Sequence, residues 1–168
     1  MIKNKIFEKI KIKDTEFSNR IVVSPMCQYS AENGLMNDWH FQHLSQFGFS
    51  GAGLVMIEST AVENIGRITQ NCTGIYDDEC LSSIKTIMEK VKALSLNEVK
   101  FGIQLGHAGR KASTQRPWEG RSYLRHNQNP WKTIAPSAIP FDKDWPIPKE
   151  MNDDDLQRVK TAFIDAAR

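Results

Sequence analysis

Hydrophobic and polar positions alternate first with the period of a strand and then with that of a helix. In KIKIKDTEFSNRIVV, Ile10 and Ile12 stand between lysines, a turn signal follows at Asp14, and apolar residues resume, which predicts a small hairpin leading into a core strand. Ile21, Val22 and Val23 form a β-branched run of the kind found in parallel sheets covered on both faces, and Pro25 ends it by removing a backbone donor. From Asn37, Trp39, His43, Leu44 and Phe47 fall at helical spacing behind a capping Asn or Asp and ahead of terminating glycines. Leu54 to Ser59, LVMIES, reads as a second buried strand. In DDECLSSIKTIMEKVKALSLN, Leu81, Ile84, Ile87, Met88, Val91 and Leu94 form one helical stripe behind two aspartates suited to an N-terminus. Val99 to Leu105 reads as a third strand, with Phe101, Ile103 and Leu105 expected on an exposed side. Strand, helix, strand, helix, strand predicts right-handed βαβ units, a parallel sheet and an α/β fold.

The rhythm then breaks. Residues 107–150 hold six of the seven prolines and three of the four tryptophans. A connection this long is functional or disordered, and Trp118, Trp131 and Trp145 can bury enough area to favour an ordered loop over a site. Asn152 and three aspartates then open a helix with the stripe Leu156, Val159, Phe163 and Ala166 or Ala167, and the sequence reaches Arg168 inside that stripe. A βα repeat calls for a strand next, so the expectation is a chain cut before that strand.

Composition changes this picture little. Of 168 residues, 40% are hydrophobic and 25% charged, the range of a globular domain with its own core. A formal net charge of +2 on dispersed basic residues argues against nucleic-acid and membrane partners. Lysines interrupt the apolar residues near Met1 too often for a signal peptide or a spanning segment, so a cytoplasmic protein is expected. Cys27, Cys72 and Cys80 are odd in number and lack CxxC spacing, which argues against a disulfide framework and a structural zinc site.

Candidate chemistry sits where strands end. Pro25, Met26, Cys27 and Tyr29 follow the first core strand, the position where α/β folds bind ligands, although Met26 and Cys27 also suit soft core filler. Gln104, read as lying within a buried strand, could present donor and acceptor to a planar heterocycle or satisfy a neighbouring backbone group. His107, Arg110 and Lys111 form either a cationic rim or a solvated loop face. His40 and His43 have the i, i+3 spacing of a metal pair, but no third ligand is placed, and a core or hydrogen-bonding role is preferred. Ala61, after Glu58, Ser59 and Thr60, would let a flat ligand approach closely. No GxGxxG, GK[ST] or GxSxG motif occurs.

The segments SPMCQYSAENGLMNDWH, ESTAVENIGRIT and QLGHAGRKAS, followed in order by RPWEG and TIAPSAIPF, resemble the old yellow enzyme family, most closely its thermophilic-type and xenobiotic-reductase branch, from Phe7 to the end. The resemblance implies a TIM (β/α)8 barrel carrying FMN, with NAD(P)H as reductant and activated alkenes, the α,β-unsaturated carbonyl compounds, as small-molecule substrates. It implies flavin contacts from Ser24, Pro25, Met26, Cys27, Ala61 and Gln104, and places Tyr29 and Lys111 toward the substrate, giving Cys27, Tyr29 and Lys111 as catalytic residues. It also implies a substrate-holding histidine pair or His/Asn pair, a proton-donating tyrosine and phosphate-binding arginines on later strands, which have no counterpart here. Such a barrel has eight strands and typically about 250 residues. The expectation is therefore that residues 1–168 form one partial FMN-binding barrel domain of about three strands. Such a chain would be inactive alone, and it would either pair with itself or with a C-terminal partner chain. Related flavin barrels also handle amines and dienoyl thioesters, so another flavin reaction stays open.

Overall fold

A computed structural model describes residues 4–96 and 98–168. The reading of the N-terminal dozen residues as neither leader nor span rests partly on residues 1–3, which lie outside that range. The predicted hairpin forms: β1 (Ile10–Ile12) and β2 (Thr15–Phe17) pair antiparallel, Ile10 opposite Phe17, through a turn that puts Lys13 at φ 50°. Three further strands, β3 (Val22–Val23), β4 (Leu54–Ala61) and β5 (Lys100–Gly106), form a parallel sheet in that order. All three therefore end on one edge.

The crossover helices α1 (Asp38–Gly48) and α2 (Asp78–Leu94) cover one face of this sheet. Val55 and Ile57 of β4 meet Leu44 of α1 and Ile84, Ile87, Met88 and Val91 of α2, with Val23, Phe101 and Ile103 packed against them. Alternation along a strand explains the correction this brings. Phe101 and Ile103 point to the core and are partly buried, rather than standing on an exposed side. What faces outward from β5 is Lys100 and Gln104. Val22, expected in a strand covered on both faces, is 54% exposed, because β3 has one neighbouring strand and helices on one side only. Gln104 is exposed for the same reason, so the expectation of a buried amide does not hold in this chain. At the ends of their stripes Leu81, Leu94 and Trp39 are also exposed, and the buried positions Cys80 and His40 take over.

Residues 107–150 are ordered by short elements. Three 3-10 turns, at Gly109–Lys111, Pro117–Glu119 and His126–Gln128, precede a small parallel pair, β6 (Ile134–Ala135) with β7 (Lys149–Glu150). Side chains pin this segment back to the β4–α2 connection. Trp131 Nε1 donates to the Ile65 carbonyl at 2.9 Å, and Gln70 Nε2 donates to the Gln128 carbonyl at 2.7 Å. Trp145 stacks against Phe141 and Tyr123. Trp131 and Trp145 thus do what was expected and hold the loop, whereas Trp118 is 63% exposed.

α3 (Asp153–Ala166) starts at a reciprocal cap between Asn152 and Asp155. Leu156, predicted to lead its apolar stripe, is 49% exposed, whereas Asp155 is buried. The helix docks through charge instead. Asp155 binds Lys149 of β7 and Arg158, each at 2.6 Å, and Arg158 reaches Glu63 at 2.8 Å, just past the end of β4. Among the described residues no helix is long and apolar enough to cross a membrane.

Candidate active site

The common edge where β3, β4 and β5 end gathers the residues picked from the sequence. After Val23 the chain runs extended through Ser24, Pro25 and Met26, then folds back at Tyr29, whose φ of 51° lies in the left-handed region. Ser24 and Met26 are exposed, and Pro25 and Cys27 are half-buried. Burial pushes the Cys27 thiol up to about 11, the Glu58 carboxylate and Cys72 add to this, and the Ser59 backbone offsets it by hydrogen bonding. At neutral pH Cys27 is therefore an un-ionised S–H, a weak donor and a poor nucleophile.

Ser59 in turn stands opposite Gln104 in the ladder, after a register shift in β4 between Ile57 and Ser59. Cys27, four residues past the end of β3, thus meets Ser59 of β4, which stands beside Gln104 of β5. Gly102 and Gly106 flank Gln104 at two-residue spacing and share its face, so at the C-terminal end of β5 its amide stands between two glycines, with Lys100 at the far end of the strand and Met56 lying over Gly102. A Cβ on Gly106 would come within 2.6 Å of Ser59 Oγ, which explains the glycine there. An exposed amide between two glycines, beside a neutral thiol, suits the edge of a planar heterocycle with donors and acceptors. The residues present therefore fit a flavin ring.

Ala61 ends β4 in a different state from the others. It is buried, its N–H donates to Thr73 and its carbonyl accepts from Ile75, both at 2.9 Å. It offers a flat ligand close van der Waals approach rather than a free backbone hydrogen bond.

Tyr29 and Lys111 face the long segment. The Tyr29 ring meets Trp118 edge to face at 5.9 Å, and Arg121 lies close enough to oppose the upward push that burial gives its phenol. Lys111 is exposed, with its ammonium 5.6 Å from the centre of the Phe141 ring. His107 is turned toward Glu63, with Nε2 at 3.2 Å from the carboxylate, and burial pushes its pKa down. Arg110 donates to Ser137 at 3.0 Å. The trio read as one cationic rim is therefore divided among separate partners. A separate cleft of about 510 Å³ opens within the long segment between Arg110, Tyr123, Trp131 and Trp145, and Arg110 alone of the residues picked from the sequence lines it.

Sequence reasoning missed Glu58 as a site residue, whereas the core or hydrogen-bonding role preferred for His40 over a metal pair agrees with its burial and its contact with Asn37. Both side chains are almost fully buried. The signal for Glu58 was available: an acid inside the apolar run LVMIES must find a partner when the strand is buried.

Comparison with known proteins gives a consistent result. Residues 5–168 match the profile of the NADH:flavin oxidoreductase / NADH oxidase family. The chain is 39% identical over 166 residues to an NADPH dehydrogenase of Listeria monocytogenes, covering 98% of this chain and 44% of that protein. It is likewise 39% identical over 168 residues to an NADH:flavin oxidoreductase of Gibberella zeae, of which it covers 40%. In fold it is similar to the old yellow enzyme from Pichia sp. AKU4542, with a TM-score of 0.79 at 23% identity, over 98% of this chain and 42% of that one. It is also similar to the old yellow enzyme homologue from Zymomonas mobilis, with a TM-score of 0.76 at 20% identity, over 98% and 44%. The chain thus spans less than half the length of the relatives it matches, and its three parallel strands are part of a TIM barrel.

Proposed function

The chain belongs to the NADH:flavin oxidoreductase / NADH oxidase family, whose cofactor is FMN and whose reductant is NAD(P)H, and from that premise we propose that residues 1–168 are a flavin-holding part of an ene-reductase acting on activated C=C bonds of α,β-unsaturated carbonyl compounds. When bound, FMN supplies the hydride chemistry. The observation that carries the reading is the grouping of Cys27, Ser59 and Gln104 at the strand ends, with an exposed amide between two glycines.

In this reading Gln104 orients the pyrimidine edge of the ring through its amide, and Ala61 supports it by close packing. Ser24, Pro25 and Met26 lie along its rim. The neutral Cys27 S–H holds a proton near the ring edge and tunes it as a weak donor, without itself attacking substrate. Tyr29, with its phenol kept protonated, faces the substrate side against Trp118, and Lys111 borders that space. The long segment excludes water above them, as its pinned tryptophans suggest. The absorbance spectrum of the purified protein tests this: a stoichiometric flavin band supports the reading, and a colourless protein that takes up no added FMN, alone or with the remaining barrel strands supplied, refutes it.

A second reading has support from the surface. β3 and β5 each pair with β4 alone among the described residues, and Val22, Met26, Leu156 and Ile164 are exposed. We infer that further barrel strands cover these groups, from the same polypeptide or from a partner chain. Without such cover the chain would be a non-catalytic subunit.

A further inference from the structure

We propose that Glu58 and His40 are positioning residues for the Cys27 segment: the Glu58 carboxylate clamps the main chain one residue beyond the thiol, and His40 holds that carboxylate in place from α1. Glu58 Oε2 accepts the Gln28 backbone N–H at 3.0 Å. Its other oxygen lies 3.4 Å from His40 Nε2, and the two side chains are 4% and 2% exposed. On the other side of the ring, His40 Nδ1 lies 3.1 Å from the Asn37 backbone nitrogen and 3.0 Å from the Asn37 side-chain oxygen, which fixes the ring with Nε2 facing the carboxylate. Among the described residues Nε2 has no aligned hydrogen-bond partner, so the contact with Glu58 is electrostatic. The same end of α1 grips the segment twice more. Asn37 Nδ2 donates to the Ser30 carbonyl at 2.8 Å, and Trp39 Nε1 donates to the Gln28 side chain at 3.1 Å.

A buried acid on a strand costs stability unless something needs it there. Here it satisfies a backbone donor in a segment without a ladder partner, and it sets the field around the thiol. The other titratable groups near it are His43 on α1, Tyr29, Cys27 itself and Cys72. The family reading gives this clamp its purpose at the flavin edge, but its test is read on the thiol, so a chain that takes up no flavin still decides it.

The experiment follows alkylation of Cys27 by iodoacetamide against pH, mapped by peptide mass, on the full chain in its purified folded state. Glu58→Gln keeps an acceptor for Gln28 and removes the charge. Its profile should move to lower pH, and a profile displaced by one pH unit makes alkylation at pH 8.5 about tenfold faster. In Glu58→Ala and His40→Ala, exchange of the Gln28 amide should accelerate at least about tenfold. A Glu58→Gln profile superimposable on the parent overturns the proposal, as does unchanged Gln28 exchange in the alanine variants. Where the alanine variants do not fold, the parent protein alone decides: slow exchange at Gln28 upholds the clamp, and exchange at the rate of an unstructured peptide overturns it.

Discussion

Asn37 offers a perturbation whose magnitude can be worked from the structure. Its side-chain oxygen caps α1 by accepting the Trp39 N–H at 3.1 Å, and its side-chain nitrogen donates to the Ser30 carbonyl, three residues past the thiol. Asn37→Ala removes both. A lost N-cap costs about 1 kcal/mol, and a half-buried carbonyl left without its donor costs about 1 kcal/mol more. The total is about 2 kcal/mol, which for a protein of this size lowers Tm by about 4–8 °C. Asn37→Asp separates the two parts, because aspartate caps at least as well near a helix N-terminus but cannot donate to Ser30. Its loss should be about 1 kcal/mol. Thermal and urea unfolding of the protein in its purified assembly measures both variants. An Asn37→Ala protein within about 0.5 kcal/mol of the parent would refute the view that α1 anchors this segment.

Other expectations follow from the same geometry. Cys27→Ala should leave FMN binding largely intact while shifting the flavin potential and both half-reactions. An unchanged potential would reduce Cys27 to packing. Lys149 and Arg158 hold the Asp155 carboxyl down at about 2, below its ordinary value near 3.8. The stabilisation it gives is therefore complete above the ordinary value and is lost as pH falls from about 4 toward 2. His107, pushed down by burial, acts in the same direction at higher pH, since the unfolded chain takes up a proton near 6.5 that the folded one resists. Asp155→Asn should flatten the lower part of the profile, and an unaltered acid limb in a thermal melt would contradict the network. The chain without covering strands leaves Val22, Met26, Leu156 and Ile164 in water, each forgoing roughly 1.5–3 kcal/mol of burial. Light scattering should show it oligomeric or aggregated, and a monodisperse monomer with a sharp melt would refute this.

The strand-and-helix order was legible because periodicity reports burial, and in β4 and α2 burial decides everything. It failed where charge or an open edge decides. In α3 the apolar stripe led by Leu156 is visible in sequence, whereas the partners that bury Asp155, Lys149 and Arg158, can be assigned only once the loop is folded. Val22 and Gln104 have the local sequence of covered positions, but their exposure is set by which strands pair, a long-range property. Cys27 and Gln104 were found by resemblance and by the rule that α/β sites lie at strand ends. Glu58 was passed over because a motif draws the eye to the thiol and away from the acid that holds the chain beside it.

The central claim is that the ends of β3, β4 and β5 form one face of a flavin site, and FMN affinity of a Gln104→Ala variant tests it most directly. The measurement titrates FMN by fluorescence quenching into parent and variant, each assembled with the strands that complete the barrel. Losing the hydrogen bonds of one amide to the ring should raise Kd about 10–100-fold, since bonds of this kind contribute roughly 1.5–3 kcal/mol together. Equal affinity in the two proteins would contradict the account, because the amide exposed at the C-terminal end of β5 would then have no part in holding the ring.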